Sequence, residues 1–358
     1  MPVEWPTARP KLMVTADDCT GALETAASCA DVGWPTLMSR TTSADASGCV
    51  VFDLATRHLH PEDAAARVGA VAATYRVDAH KIDSTLRGNW DAEVMAYVRS
   101  GRRVLLVPAH PAAGRTCSDG IVRVNGVPVH ESEHGDDRRS MTRTSRPSTV
   151  LVGSVEVSGS QVGRWVADRR GPAVAIADAT TVRELEIVMD AVASEDPAVM
   201  VCGPSAAIRA LAARRSPHQG LVGASGSPVL RLPVLVVVGS RHQVSRAQVA
   251  SLASSNAFIT VLTTDPDEET DPEHVANTLA SRAHRALAAQ RFPTVVLVGG
   301  DTAGAFLGER SVRVFGSLEL GVAQGVVVID GVEVAVVAKP GAFGDETTLV
   351  RLIAEMSP

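Results

Sequence analysis

Leu12-Met13-Val14-Thr15-Ala16-Asp17-Asp18-Cys19-Thr20-Gly21-Ala22-Leu23-Glu24 runs from a short apolar strand into the start of a helix. The turn between them is where α/β proteins place ligand-binding groups. Asp17 and Asp18 stand side by side there, and adjacent carboxylates repel unless cationic or hydroxyl partners answer them. A substrate polyol or a metal ion can supply such partners. Helix capping accounts for one of the two aspartates and leaves the other unexplained.

The same strand–turn–helix pattern recurs outward from this stretch. Short β-branched runs lie at Val50–Phe52, Val104–Val107, Val150–Val152, Val174–Ile176 and Val199–Val201. Val234–Val238, Val295–Val298, Val326–Ile329 and Val334–Val337 continue the series. Continuous apolar strands alternating with helices imply parallel sheets covered on both faces. One helix is well delimited, with Asp271 as cap, Pro272 in its first turn and an end near Phe292-Pro293. Asn125-Gly126 marks a tight hairpin between Ile121 and Val129, and His130 to Ser148 reads as a polar loop. Glycines and prolines between Gly220 and Pro233 mark a boundary. The expected fold is α/β with two domains, 1–222 and 233–358, each a largely parallel sheet flanked by helices. The active site is expected in the interdomain cleft.

Composition narrows the function classes. A length of 358 residues supports two cores, and 3% aromatic residues require those cores to be built from Val, Leu, Ile and Ala. The formal charge of −6 offers no basic face for nucleic acid. The basic run Arg138 to Arg146 follows Glu131, Glu133, Asp136 and Asp137, so it reads as a solvated mixed-charge loop. Five scattered cysteines without metal-ligand spacing argue for reduced thiols in a cytoplasmic protein. No secretory signal and no membrane-length apolar run is present in the sequence.

Of the 34 lysines and arginines only Lys11, Lys81 and Lys339 are lysine. Two of them sit among turn-forming residues, in Lys81-Ile82-Asp83-Ser84-Thr85-Leu86-Arg87-Gly88-Asn89 and Lys339-Pro340-Gly341-Ala342-Phe343-Gly344. A compact ammonium serves a tight phosphate or carboxylate pocket in a way that a planar guanidinium does not. Lys81 and Arg87 can hold an anion, Asp83 and Ser84 can bond hydroxyls, and Arg57 can add a cation. Val298-Gly299-Gly300-Asp301-Thr302-Ala303-Gly304 makes a natural anion-binding helix start, and Gly239-Ser240 a weaker one. An anion-and-polyol half before residue 220 and a phosphate-cradling half after it suit phosphoryl transfer to a small molecule. The sequence has neither a Walker A motif nor a Gly-x-Gly-x-x-Gly fingerprint, which removes P-loop and nicotinamide-dependent readings.

At these residues the chain resembles the four-carbon acid sugar kinase family. The resemblance rests on Ala16 to Ala22, Lys81 to Asn89, Pro108-Ala109-His110-Pro111-Ala112-Ala113-Gly114-Arg115, Gly239-Ser240 with Ser245 to Gln248, Gly300 to Ala303, and Lys339 to Gly344. It implies an enzyme that phosphorylates threonate, erythronate or a 3-oxo-tetronate with ATP and Mg2+. By the resemblance Asp17, Asp18, Arg57, Lys81, Asp83, Ser84, Thr85 and Arg87 form the sugar-acid site. Ser240, Gly299, Gly300, Asp301, Thr302, Ala303, Lys339, Gly341 and Gly344 form the nucleotide site. Lys81 and either Asp83 or Asp301 as base are the catalytic candidates; no metal ligand is assigned, and a homodimer is compatible. Cys19 replaces an aromatic and Glu24 an aspartate usual in the first motif, which keeps open an alternative, a catalytically silent sensor of a sugar acid or nucleotide.

Overall fold

The computed structural model describes residues 12–41, 48–132, 144–193, 198–216, 228–252, 258–264 and 271–356. Lys11, most of the expected boundary, and the charged centre of the loop between His130 and Ser148 lie outside the described residues. The N-terminal half begins β1 (Leu12–Ala16), α1 (Cys19–Ala30), β2 (Thr36–Ser39), β3 (Cys49–Asp53), α2 (Pro61–Thr74), β4 (Ala79–Lys81), α3 (Trp90–Arg99) and β5 (Arg103–Leu106). A small antiparallel sheet follows, of β6 (Arg115–Ser118), β7 (Ile121–Val124) and β8 (Val127–Pro128). The half ends with β9 (Val155–Val157), α4 (Gly159–Ala167), β10 (Val174–Ala177), α5 (Val182–Ala193), β11 (Val199–Gly203) and α6 (Ser205–Arg215).

The C-terminal half opens with β12 (Val234–Val238), α7 (Gln243–Leu252), β13 (Ile259–Thr263), α8 (Pro272–Ala289), β14 (Thr294–Val298) and α9 (Gly300–Leu307). It closes with β15 (Val312–Glu319), β16 (Val322–Ile329), β17 (Val332–Lys339) and α10 (Thr348–Ala354). Asp271 caps α8 by accepting from His274 N at 3.1 Å, as its position before Pro272 implies. The Asn125-Gly126 hairpin is the β7–β8 turn, with both residues at positive φ.

Two expectations fail locally. Val150–Val152 is a turn, with Val152 88% exposed; Gly153 at φ 83° bends the chain before a ladder can form, and the strand is β9. The C-terminal strands are an antiparallel meander, β15–β16–β17, rather than parallel strands separated by helices. Asp330 (φ 49°) and Gly331 (φ 79°) form the two-residue turn between β16 and β17 and leave no length for a helix.

All strands but the small sheet belong to one 14-stranded sheet, ordered β13-β12-β14-β17-β16-β15-β2-β3-β1-β4-β11-β5-β10-β9. The two largely parallel sheets are its two flanks. They join where β2 pairs antiparallel with β15, through Thr36 with Val314, Leu37 with Arg313 and Met38 with Val312. Three antiparallel steps separate β1 from β14, so in a flat sheet their C-terminal ends would point opposite ways. Sheet twist of roughly 20–25° per step, over the six steps between them, amounts to about 120–150° and turns the two ends toward each other. Register shifts in β15 at Val314/Gly316 and Ser317/Glu319 add local twist at the junction.

Helix α1 fills the inside of that turn. Every residue of it except Glu24 is buried, consistent with its alanine-rich, all-round apolar sequence. One core cluster contains α1 residues Ala22 and Ala26 together with Ala303 and Phe306 of α9 and Val327 of β16. The halves therefore share a core on this face of the sheet. Among the described residues no helix is long and apolar enough to cross a membrane. All five cysteines are buried free thiols.

Candidate functional site

A cleft of about 400 Å³ lies where the turns before α1, α6, α7 and α9 converge. Each turn follows the C-terminal end of a parallel strand, so helix N-termini with their unpaired N–H groups open onto one space and favour an anionic occupant. From the N-terminal half, Asp18, Arg57, Lys81, Asp83, Ser84, Thr85 and Arg87 line it. From the C-terminal half come Ser240, Gly299, Gly300, Asp301, Thr302 and Gly341. The structure thus brings together most of both sets of residues singled out in the sequence.

Arg57 is the cationic partner that the paired carboxylates require. Its Nε and Nη2 donate to the two oxygens of Asp17, each at 2.8 Å, and Nη2 lies 2.7 Å from Asp18 Oδ1. Asp18 also caps α1, accepting from Gly21 N at 3.1 Å and Thr20 Oγ1 at 2.7 Å. Burial pushes the Asp17 carboxyl up to about 6, with Arg57 opposing the shift. For Asp18 burial acts in the same sense, but Arg57 and Lys81 outweigh it and hold the group below its ordinary range.

Asp83 is gripped in the same manner. Arg87 Nε and Nη2 donate to its two oxygens at 2.9 Å each, and Thr85 N donates at 3.1 Å. Despite burial, the Arg87 and Arg57 guanidiniums hold Asp83 well below the usual carboxylate range. Both guanidiniums are therefore matched to carboxylates of the protein itself.

Lys81 differs from them. It is 4% exposed and lines the cleft, yet among the described residues its ammonium makes no hydrogen bond to the protein. It lies against the first turn of α1, where a Cβ on Gly21 would come 2.9 Å from Nζ. Asp17, Asp18 and Asp83 act on it electrostatically, and its hydrogen-bonding capacity is left for an anion in the cleft.

In the C-terminal half, Gly299 (φ 105°) starts α9 and donates its N–H to Lys339 O at 3.0 Å. Helix α7 holds the adjoining loop: Ser245 Oγ donates to Gly341 O at 2.7 Å, and Gln248 Nε2 to Asp345 O at 2.7 Å. These bonds explain why Ser245 and Gln248 accompany Gly239-Ser240 in the sequence. The turn of Gly300 meets the other half directly, since a Cβ there would lie 2.9 Å from Asp18 Oδ2. Asp301 is 44% exposed, and His58 Nε2 stands 3.9 Å from its Oδ1.

Four of the singled-out residues do not line the main cleft. Asp17 and Ala303 are buried behind its walls, and Gly344 packs against Thr348. Lys339 is fully buried beneath the loop, its Nζ donating to Pro340 O at 2.9 Å, and burial lowers its pKa to about 8. Conversely, Glu24, His58, His110, Arg115, Ser205 and His242 line the cleft without having been assigned a role. Ser205 opens α6 just after β11 and donates to Glu24 Oε1 at 2.6 Å. That strand-end position was the available signal for it.

The described residues contain no group of three or more His, Cys, Asp or Glu that could hold a metal unaided. Mg2+ ordinarily takes one or two carboxylates and completes its shell with phosphates and water. Asp18 Oδ2, which faces Gly300 at the cleft, fits that smaller donor set.

The family model described as "Sugar-binding N-terminal domain" matches residues 12–211. A D-threonate kinase of Salmonella typhimurium is 33% identical over 262 residues, covering 67% of this chain and 60% of that protein. For a D-threonate kinase of Cupriavidus necator the values are 31% over 269 residues, 67% and 63%. The chain thus matches less than two thirds of the length of either relative. A third D-threonate kinase, from Bordetella bronchiseptica, is 29% identical with 96% of both chains covered. Among solved structures, a Haemophilus influenzae protein of a domain family of unknown function superposes with TM-score 0.70 at 19% identity, over 94% of this chain and 97% of that one. A Bordetella bronchiseptica domain, a domain-swapped dimer with bound citrate, gives TM-score 0.54 at 25% identity over 97% and 98%. By sequence and by fold, the chain belongs to the family that carries the sugar-binding N-terminal domain, that of the four-carbon acid sugar kinases.

Proposed function

We propose that this protein transfers the γ-phosphoryl group of ATP to a hydroxyl of a four-carbon sugar acid of the threonate, erythronate or 3-oxo-tetronate class. The observation that carries this reading is Lys81, a nearly buried ammonium with no hydrogen-bond partner among the described residues, in the same cleft as the Gly299-Gly300 turn. Residues 1–222 supply the sugar-acid side and 233–358 the nucleotide side. Lys81 takes the carboxylate. Arg57 and Arg87 shape the site by holding Asp17, Asp18 and Asp83 in place rather than by meeting substrate charge alone.

Ser240, the Gly299-Gly300 backbone and the Gly341 turn receive the phosphates at the starts of α7 and α9. Asp18 would hold a Mg2+ accompanying the nucleotide, which would supply charge neutralisation on the transferred group. The acceptor oxygen attacks the γ-phosphorus, the bond to the bridging oxygen breaks, and ADP leaves. Asp301 suits the base role, because both oxygens of Asp83 already accept from Arg87 and its low pKa makes it a poor proton acceptor.

The citrate and domain-swapped dimer of the Bordetella structure support carboxylate binding and a homodimer for this chain as well. The five free thiols and the use of ATP support a cytoplasmic setting. Release of ADP on adding D-threonate, D-erythronate or a 3-oxo-tetronate tests the reading. Binding of such an acid without ADP release contradicts it and favours a silent sensor.

A further inference from the structure

His110 is a buried histidine that the reaction outlined above leaves unused. It follows β5, and its backbone is fixed by a two-way bridge: His110 N donates to Arg115 O at 2.9 Å, and Arg115 N to His110 O at 3.1 Å. The short turn Pro111–Ala113 begins at the next residue, so the side chain leaves a rigid support. It is 4% exposed and lines the cleft, while among the described residues its ring makes no hydrogen bond to the protein.

His80, a fully buried histidine next to Lys81 in the sequence, shows what a structural imidazole looks like here. Its Nδ1 bonds Thr15 Oγ1 at 2.8 Å and its Nε2 bonds Glu93 Oε2 at 3.0 Å, so both nitrogens are satisfied. The protein bonds neither nitrogen of the His110 ring, which opens onto the cleft and is available to a ligand there.

The charged groups around His110 are Glu24 on α1, Lys81 on β4 and Arg115 on β6. Burial lowers its pKa first, Glu24 opposes, and Lys81 and Arg115 reinforce the shift. At neutral pH the ring is therefore uncharged, with one donor and one acceptor nitrogen. That is a match for a hydroxyl. Lys81, to which the proposed function gives the carboxylate of the same small molecule, stands near the ring.

We infer that His110 is a specificity-determining residue of the acceptor side, its imidazole hydrogen-bonding a hydroxyl of the sugar acid whose carboxylate Lys81 holds. The inference rests on the proposed function for the identity of the ligand. A site built to bond a hydroxyl discriminates against an analogue lacking it, because the ring then loses that partner.

Calorimetry on the full chain tests this with D-threonate, its 2-deoxy and 3-deoxy analogues, and a non-hydrolysable ATP analogue. His110→Gln and His110→Asn are compared with wild type after thermal melts confirm folding. Both variants are expected to weaken D-threonate binding about 10- to 100-fold and to leave the ATP-analogue Kd unchanged. The wild-type preference for D-threonate over the analogue lacking the contacted hydroxyl should collapse in both. Unchanged D-threonate affinity in both variants overturns the inference, as does an equal loss for all three acids. ADP release by wild type is measured separately. Binding without release removes the kinase reading and still lets the variants decide on His110; no binding of D-threonate, D-erythronate or a 3-oxo-tetronate by wild type removes both.

Discussion

Asp18 and Gly300, 282 positions apart in the numbering of one chain, meet where the two halves of the sheet turn toward each other: a Cβ on Gly300 would lie 2.9 Å from Asp18 Oδ2. Asp18 cannot easily move aside, because Arg57, Thr20 and Gly21 N all hold it. Gly300→Ala is therefore expected to displace the acidic turn against the phosphate turn by a fraction of an ångström. Steady-state kinetics should show kcat/KM reduced about 10- to 100-fold, since misplacement on this scale disrupts near-attack geometry. Thermal melting should change little.

Arg57 and Lys81 are both nearly buried cations of the same wall, but their removal should have unequal consequences for stability. Arg57→Met leaves Asp17 and Asp18 without their guanidinium and is expected to destabilise by about 3–5 kcal/mol. Lys81→Met removes a charge that favours the ionised Asp17, Asp18 and Asp83 without a hydrogen bond to any of them, and should lower the melting temperature less than Arg57→Met does. The same variant should raise KM for the sugar acid about 100-fold or more while the KM for ATP stays in place. Urea denaturation and two-substrate kinetics check both statements.

Lys339 gives a pH signature. Its folded pKa is about 8 against an ordinary 10.5, because burial disfavours the ammonium. Between pH 8 and 10.5 the unfolded chain keeps a proton that the native protein has released, so this group makes stability rise with pH across that window. At neutral pH its burial costs about 3 kcal/mol. Lys339→Met is expected to be more stable than wild type at pH 7, with the difference fading as pH approaches 10.5. Its ATP affinity should fall, because the ammonium steadies the Pro340 carbonyl at the base of the nucleotide loop. Denaturation at pH 7 and pH 10 decides the stability part.

The two candidate bases separate by kinetic type. Asp301→Asn should lower kcat about 100- to 10,000-fold with modest change in either KM. Asp83→Asn disrupts the Arg87 grip and should act on the sugar-acid KM and on stability. A kcat collapse in Asp83→Asn with Asp301→Asn unaffected would reverse the assignment.

Much of this arrangement was legible in the residues. The strand-to-helix turns announced themselves because parallel strands, buried on both faces, need apolar runs and place polar residues only at their ends. One of the paired aspartates was recognisable as a cap, which is Asp18, and Asp271-Pro272 as a helix start. The antiparallel meander was not recognised, since Val326–Ile329 and Val334–Val337 have the same apolar character as parallel strands; only Asp330-Gly331 distinguished them. The single sheet was also hidden, because β2 and β15 are far apart in sequence and their pairing is a tertiary event. At the site, composition identified Lys81 but could not reveal that Arg57 and Arg87 answer internal carboxylates. His110 lay within a quoted motif, yet only burial without a partner gives it a role.

A crystal structure with D-threonate and a non-hydrolysable ATP analogue bound together tests the central claim most directly. The expected result is the acid carboxylate on Lys81, the terminal phosphate at the Gly299-Gly300 turn, and a hydroxyl oxygen about 3–3.5 Å from the γ-phosphorus in line for attack. The two ligands found in separate cavities, or the acid bound away from Lys81, would contradict it.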